Sequence, residues 1–108
     1  MDRVKGKIAI VTGGANGIGR AISMLLAEEG AWVLVADIED QHGAETVAII
    51  RNRGGQAGFL HTDVSRPDEV RCAVETAAAQ NGRIDILCNN AAYLSEDFHG
   101  ALESTDEE

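Results

Sequence analysis

The sequence predicts an α/β fold in which helices pack on both faces of a parallel sheet. Four short apolar runs begin at residues 8, 32, 57 and 84, and these spacings of 24, 25 and 27 residues each leave room for one helix. The runs are apolar almost throughout, which is typical of parallel strands covered on both sides. Aromatic residues make up only 4% of the chain, so the core must be aliphatic and rich in alanine.

The first unit is expected to place a strand at residues 8–11, followed by a glycine-rich turn and a helix. Apolar residues at helical spacing predict the helix face that packs on the sheet. This stripe consists of Ile18, Ala21, Ile22, Leu25 and Leu26. Gly30, Gly54 and Gly82 each follow a helical pattern and are expected to end the three helices.

The later units repeat the pattern, with strands expected at residues 32–36, 57–60 and 84–88. In the third helix, Ser65 is suited to the N-cap and Pro67 to the first turn. The predicted inward faces are Ala44, Val47, Ala48 and Arg51 in the second helix, and Val70, Ala73, Val74, Ala77 and Ala78 in the third.

Right-handed crossovers arrange these units as βαβαβαβ with strand order 3-2-1-4, which is one half of a doubly wound sheet. The first and fourth strands are then neighbours, and a ligand crevice is expected at their carboxyl ends. We expect residues 1–94 to form this half-domain and residues 95–108 to form an acidic loop leading away from it.

The composition disfavours several classes of function. The formal net charge is −9, of which residues 95–108 contribute −6, whereas nucleic-acid-binding domains carry a basic footprint. No apolar run approaches the roughly 20 residues of a membrane span, and the charged amino terminus differs from a signal peptide, so we expect a cytoplasmic protein. Cys72 and Cys88 lie far apart with no histidine spaced to join them, which disfavours a disulfide framework or a metal site.

Residues 12–21 read TGGANGIGRA and place Gly13, Gly17 and Gly19 in the spacing G-x-x-x-G-x-G. Small residues let the backbone turn tightly and approach a pyrophosphate, while the first amides of the helix face the phosphates. The general pattern G-x-G-x-x-G fails at Ile22, and the triphosphate loop fails because Arg20 stands where that motif needs Lys. A tight turn that binds nothing is the alternative for these glycines taken alone.

Asp37 follows the second strand, 24 residues after Gly13, near the spacing expected for an acid that binds the adenosine ribose hydroxyls. A carboxylate there accepts hydrogen bonds from two hydroxyls and repels a 2′-phosphate, which predicts NAD rather than NADP. Asn16 and Ile38 supply no cation that would favour NADP. The alternative role for Asp37 is an ordinary helix N-cap.

Four motifs together resemble the short-chain dehydrogenase/reductase family in its compact form. They are TGGANGIG at 12–19, Asp37, Asp63-Val64 after the third strand, and NNAA at 89–92. The resemblance implies a Rossmann-type half-domain that binds a nicotinamide dinucleotide. It also implies an enzyme that transfers hydride between the nicotinamide and a small alcohol or carbonyl substrate.

The resemblance implies a role for each matching residue. The pyrophosphate turn would comprise Gly13, Asn16, Gly17, Ile18 and Gly19. Asp63 would bind the adenine amino group and Val64 would contact the ring, although a solvated loop carboxylate is the alternative for Asp63. The cofactor ribose beside the fourth strand would be lined by Asn90, Ala91 and Ala92. Asn89 would hold backbone groups, and Ala92 replaces the family's usual glycine.

The family's catalytic pair, Tyr-x-x-x-Lys, has no match in the chain. Tyr93 is the one tyrosine, the residue four positions later is Asp97, and both lysines precede the first strand. We therefore expect no catalytic residue here: the chain would be the cofactor-binding half of an NAD-dependent oxidoreductase whose full-length form is a homo-oligomer. The alternatives are a non-catalytic NAD-binding module and a truncated fragment with no function of its own.

Overall fold

The computed structural model describes residues 3–90, which form a four-stranded sheet and three helices. The elements are β1 (Ile8–Thr12), α1 (Gly17–Glu28), β2 (Trp32–Asp37), α2 (Asp40–Asn52), β3 (Gln56–His61), α3 (Pro67–Ala78) and β4 (Ile86–Asn89). All strands are parallel and lie in the order β3-β2-β1-β4. The predicted fold class and strand order are therefore confirmed. The acidic loop predicted at 95–108 lies outside the described residues.

The register of the sheet brings the carboxyl ends of the strands to one edge. Thr12, which ends β1, pairs with Ala36 of β2 on one side and with Asn89 of β4 on the other. Asp37, which ends β2, pairs with His61 of β3. Because all four strands run the same way, the polar residues that end them converge at this edge.

The fourth strand begins at Ile86, two residues later than predicted. Asp85 instead binds the amino end of β1: its carboxylate Oδ2 accepts a hydrogen bond from the Ile8 N–H at 2.9 Å, and its own N–H donates to the Ile8 carbonyl at 2.9 Å. Ile84 packs against the core from outside the strand. The apolar character of Ile84 indicated burial correctly, but the strand pairing starts only where Ile86 meets Ala9.

Alternate strand residues divide between two cores, one on each face of the sheet. One core joins Ile8, Ile10, Leu34 and Ala36 to Val70, Ala73, Val74 and Ala77 of α3. The other joins Ala9, Val11, Val33 and Val35 to Ala27, Val47 and Ile50 of α1 and α2. The inward face predicted for α3 is thus correct except for Ala78, which is only partly buried.

The stripe predicted for α1 is right for Ile22 and Leu26, which are partly buried, and wrong for Ile18, Ala21 and Leu25, which are exposed. The residues of α1 that are buried are Gly19, Ser23 and Ala27, spaced four apart. The buried Ser23 hydroxyl donates to the Gly19 carbonyl at 2.9 Å. A face of small residues lets the helix backbone lie close to the sheet, and larger side chains would keep it away.

The inward face predicted for α2 is also largely wrong. Of its four predicted residues only Val47 is buried, and the other buried positions of the helix are Gly43, Thr46 and Ile50. A Cβ on Gly43 would collide with the ring of Phe59 on β3. Glycine at this position therefore lets α2 lie against the Phe59 ring, a constraint that hydrophobic periodicity does not register.

Ser65 does not cap α3, contrary to the prediction. The helix begins at Pro67, as expected for proline in a first turn, and Arg66 occupies the N-cap position without a side-chain cap bond. The Ser65 hydroxyl donates instead to the carboxylate of Asp63 at 2.7 Å. Because the helix begins at Pro67, Ser65 lies one residue before the N-cap position, and its hydroxyl belongs to the loop that holds Asp63.

Two of the three helices end where their glycines predicted. Gly30 and Gly54 directly follow the C-caps of α1 and α2 with φ of 106° and 86°, in the left-handed region that favours glycine. The prediction is wrong for α3, which ends at Ala78 with Ala79 as its C-cap, so Gly82, with φ of 86°, belongs to the turn beyond the helix. Within residues 3–90, none of the helices is both long enough and apolar enough to pass through a bilayer.

Truncating the central strand should cost far more stability than truncating the outer face of α1. Ile10 is fully buried, so Ile10→Ala should lower the free energy of unfolding by about 3 kcal/mol. Leu25 is 57% exposed, so Leu25→Ala should cost about 0.5 kcal/mol or less. Urea unfolding of the two variants measures the difference, and equal costs would contradict the orientation of α1 described above.

Candidate dinucleotide-binding site

A groove of about 520 Å³ opens at the carboxyl edge of the sheet. This volume lies within the range of small-molecule sites, about 300–1,000 Å³. Its lining comprises Gly13, Asn16, Gly17, Ile18, Ala36, Asp37, Ile38, Glu39, Thr62, Asp63, Val64 and Asn90. Of the site residues predicted within 3–90, only Gly19 is missing from this lining, because it is buried directly behind the turn.

The three glycines of the turn meet two different constraints. Gly13 and Gly17 adopt φ of 67° and 60°, a conformation that costs other residues about 1–2 kcal/mol. A Cβ on Gly17 would meet no atom within 4 Å, so this glycine faces open space. Gly19 has no positive φ, but a Cβ there would collide with the Gly13 carbonyl and crowd the Asn90 side chain. Close packing of helix on turn therefore requires glycine at this third position.

The first turn of α1 lies at the groove and carries no acidic side chain that would compete with a bound anion. Asn16 occupies the N-cap position but makes no side-chain cap bond, and the first turn contains no acidic residue. Both α2 and α3 do carry acidic residues in their first turns. The first N–H groups of a helix lack partners within it and lie at the positive end of its dipole. The amino end of α1 is therefore suited to an anionic ligand.

A cluster beneath the turn joins α1 to α2. The fully buried Thr46 hydroxyl lies 2.8 Å from the Ala15 carbonyl and accepts a hydrogen bond from Arg20 Nε at 2.9 Å. Arg20 Nε also lies 3.0 Å from the Ala15 carbonyl, and its Nη2 pairs with Glu45 at 3.3 Å. Sequence reasoning missed this brace, since no local pattern links Arg20 to Thr46, 26 residues away.

The carboxylate of Asp37 is held at the end of β2 by two backbone N–H groups. Oδ2 accepts from Ala15 at 3.0 Å and Oδ1 accepts from Glu39 at 3.0 Å. Glu39 occupies the N-cap position of α2, so the alternative role of Asp37 as N-cap is wrong. A carboxylate has about four acceptor positions, so each oxygen retains acceptor capacity toward the groove.

The carboxylate of Asp63 is held by its own loop after β3. Its Oδ1 accepts from the Ser65 hydroxyl at 2.7 Å and from the Ser65 N–H at 3.0 Å. These two bonds lower the pKa of Asp63, and the bond from the Ser65 hydroxyl is the larger cause. The Asp63 N–H donates to Glu69 Oε1 at 2.9 Å, which ties the loop to the first turn of α3. Asp63 is thus held in position by its own loop.

The end of β4 is tied to the glycine turn through Asn90. Its backbone N–H donates to Thr12 Oγ1 at 3.1 Å, and its side-chain Nδ2 donates to the Gly13 carbonyl at 3.2 Å. The Thr12 hydroxyl also lies 3.4 Å from Asn89 Oδ1. Within the described residues, Asn90 thus holds the Gly13 carbonyl and Asn89 contacts the Thr12 side chain.

Ala91 and Ala92, which were predicted to line the ribose, lie outside the described residues, as do Tyr93 and Asp97. Across residues 3–90, no group of three or more His, Cys, Asp or Glu side chains is arranged to hold a metal ion. The part of the predicted site that the structure does describe brings together the glycine turn, Asp37, the loop after β3 and Asn90.

Residues 7–108 match the family model of the short chain dehydrogenases, which is nearly the whole chain. The chain belongs to the short-chain dehydrogenase family. The resemblance inferred from the glycine turn, Asp37, Asp63-Val64 and the NNAA motif is confirmed by this match. Members of the family are oxidoreductases that use a nicotinamide dinucleotide.

Curated members of the short-chain dehydrogenase family show high identity to this chain. Tropinone reductase-like 2 of Erythroxylum coca is 47% identical over 92 residues, covering 85% of this chain and 32% of that protein. Cyclopentanol dehydrogenase of Comamonas testosteroni is 45% identical over 95 residues, covering 88% and 38%. The chain therefore spans about a third of the length of these relatives.

Solved short-chain dehydrogenase structures share the fold. A hydroxysteroid dehydrogenase from Escherichia coli aligns with a TM-score of 0.80 at 37% identity, covering 84% of this chain and 39% of that one. A 7α-hydroxysteroid dehydrogenase complexed with NADH and 7-oxo glycochenodeoxycholic acid aligns at 0.75 and 36% identity, covering 79% and 33%. A Burkholderia phymatum member in complex with NAD aligns at 0.75 and 31% identity, covering 81% and 31%.

Alanine at Gly19 should destabilise the chain more than alanine at Gly17. The Gly17→Ala variant has room for its methyl group, and its free energy of unfolding should fall by about 1 kcal/mol because of the left-handed φ. The Gly19→Ala variant must move α1 away from the Gly13 carbonyl and should cost about 3 kcal/mol or more. Thermal or urea unfolding compares the two, and a smaller cost at Gly19 would disprove the close packing.

Removing the Ser65 hydroxyl should raise the pKa of Asp63. A carboxyl whose pKa is lower in the folded chain stabilises the fold above its unfolded pKa, and that contribution disappears as pH falls through the folded pKa. In Ser65→Ala the folded pKa lies closer to the unfolded one, so Asp63 titrates at higher pH and contributes less stability near neutrality. NMR titration of the Asp63 carboxyl carbon measures the shift. Thr76→Ala, which removes a distant hydroxyl from α3, should leave it unchanged.

Proposed function

We propose that the chain is the NAD-binding half of an oxidoreductase that transfers hydride between the nicotinamide and a small alcohol or carbonyl substrate. The observation that carries this proposal is the fixed carboxylate of Asp37 at the groove lined by the glycine turn. One groove thus offers helix amides to phosphates and a preorganised acceptor to ribose hydroxyls. The printed names of the relatives, a tropinone reductase-like protein and a cyclopentanol dehydrogenase, support the same reaction class.

The groove residues would divide the dinucleotide among them. The pyrophosphate would lie at the turn formed by Gly13, Asn16, Gly17, Ile18 and Gly19. Asp37 would accept hydrogen bonds from the adenosine ribose, Asp63 would accept from the adenine amino group, and Val64 would contact the ring. Asn90, Ala91 and Ala92 would line the second ribose beside β4. The bound cofactor would supply the hydride acceptor, and these residues would bind and orient it.

The preference for NAD over NADP is part of the proposal and has an electrostatic basis. Asp37 and Asp63 both line the groove, and no Lys or Arg does among the described residues. Arg20 is engaged by Ala15, Thr46 and Glu45 and is not part of the lining. A 2′-phosphate would therefore meet negative charge without a cation to bind it.

The chemical step is proposed to require residues that this chain does not contain. No Tyr-x-x-x-Lys pair occurs in the 108 residues, so residues 1–94 would bind cofactor without catalysing turnover. The second candidate is a non-catalytic module in which NAD binding serves sensing or assembly. A Tyr-x-x-x-Lys in the continuing reading frame would favour the enzyme, and a stop codon would favour the module. We propose that the full-length enzyme is a homo-oligomer.

Calorimetric titration of the chain with NAD and NADP tests the proposal. NAD should bind more tightly than NADP. The Asp37→Asn variant should have an affinity for NAD about tenfold lower than the wild-type chain, because a charge-assisted hydrogen bond is lost. Asp68→Asn removes an equal charge on exposed α3 and should leave both affinities unchanged. NADP binding as tightly as NAD would overturn the assigned role of Asp37, and absence of binding by either would overturn the proposed function of this chain.

A further inference from the structure

Glu39 lines the groove, yet none of the proposed cofactor contacts involves it. It occupies the N-cap position of α2, and its backbone N–H donates to Asp37 Oδ1 at 3.0 Å. Its side chain is 48% exposed, so it is accessible from the groove. A second carboxylate therefore stands beside the acid proposed to bind the adenosine ribose.

The Glu39 side chain is tethered at both oxygens although it is half exposed. Oε2 accepts a hydrogen bond from Asn16 Nδ2 at 2.9 Å, and Oε1 lies 2.9 Å from Nδ1 of His42. One tether comes from the glycine turn and the other from α2 itself, and the two tethering nitrogens lie 3.5 Å apart. They lower the pKa of Glu39, with the bond to His42 the larger cause, so the carboxylate is ionised at neutral pH.

Tethering matters because a free glutamate would turn away from an incoming anion. An exposed side chain relieves repulsion by changing rotamer, whereas one held at both oxygens must break hydrogen bonds to do so. The other charges nearby offer little relief. Asp37 and Asp63 are also acidic, and Asp40 pairs with His61 at 2.7 Å on the neighbouring strand. Among residues 3–90, the basic side chain that contacts Glu39 is His42, which already serves as one of its two tethers.

We propose that Glu39, held by Asn16 and His42, is a second specificity-determining residue that rejects a phosphate on the adenosine ribose. The proposal rests on the proposed function, since it requires that the adenosine lie beside Asp37. It differs from the role of Asp37 in that Glu39 makes no favourable contact with NAD. Its effect is repulsion of the wrong ligand rather than attraction of the right one.

Replacing Glu39 by Gln, its neutral isostere, separates the effect of the negative charge from the effect of the side chain's shape. Gln retains acceptor and donor groups for both tethers, so Glu39→Gln should fold as the wild-type chain does. Its affinity for NADP should rise about fivefold while its affinity for NAD changes less than twofold. Glu75→Gln makes the same change in net charge on the exposed face of α3 and should alter neither affinity. In the double variant with Asp37→Asn, NADP affinity should rise further than with Asp37→Asn alone.

The measurement is calorimetric titration of the 108-residue chain with NAD and with NADP at pH 8, above the usual titration range of histidine. Raising the ionic strength from about 0.05 M to about 0.5 M should shrink the gain in NADP affinity, because the effect is electrostatic. Circular dichroism and melting temperature confirm that each variant is folded.

Each outcome decides between the two proposals. A wild-type chain that prefers NAD, with a Glu39→Gln variant whose NADP affinity is unchanged, would overturn the role of Glu39 and leave the proposed function intact. An equal gain in Glu39→Gln and Glu75→Gln would also overturn it, since net charge alone would then explain the effect. A wild-type chain that binds neither dinucleotide would overturn the proposed function and, with it, the role of Glu39.

Discussion

The backbone of Gly13 makes the contacts on which the rest of the groove depends, because β2, the end of β4 and the first turn of α1 all meet it. Its N–H donates to the Ala36 carbonyl of β2 at 2.9 Å, and its carbonyl accepts from Asn90 after β4 at 3.2 Å. The same carbonyl lies against Gly19 in the first turn of α1, with no room for a side chain. One glycine turn therefore sets the distances between the amino end of a helix and the carboxyl ends of the central strands.

The groove around this turn has two electrostatic parts. At the turn, α1 presents backbone N–H groups with no acidic residue in its first turn. Around the ends of β2 and β3 lie three carboxylates, Asp37, Glu39 and Asp63, each held by at least two hydrogen bonds. Because the groups are held before a ligand arrives, little side-chain freedom is lost on binding. The pattern suits a ligand with anionic phosphates in one part and uncharged hydroxyls in the other.

Hydrophobic periodicity predicted the buried face of a helix correctly where the apolar residues are also the ones that pack on the sheet. It failed where small residues pack on the sheet and larger apolar residues face outward. The α3 face was predicted because Val70, Ala73 and Val74 form the apolar stripe and are also the residues that pack. The α1 face was only partly right, because Gly19 and Ser23, which are weak hydrophobic signals, let the helix lie closer to the sheet than Ile18 or Leu25 would. The hydrogen bond between Arg20 and Thr46 was not predicted for another reason: its two polar partners lie on different helices.

By itself the sequence determined the number and order of strands, the place of the glycine turn and the position of Asp37 at the end of β2. These follow from hydrophobic periodicity, glycine conformation and the handedness of crossovers, which are local or universal properties of the chain. Only the tertiary structure decided which groups hold the site in place. The pairs Asn16–Glu39, Arg20–Thr46 and Gly13–Asn90 are separated by 23, 26 and 77 residues, so they form only once parallel strands bring their carboxyl ends together.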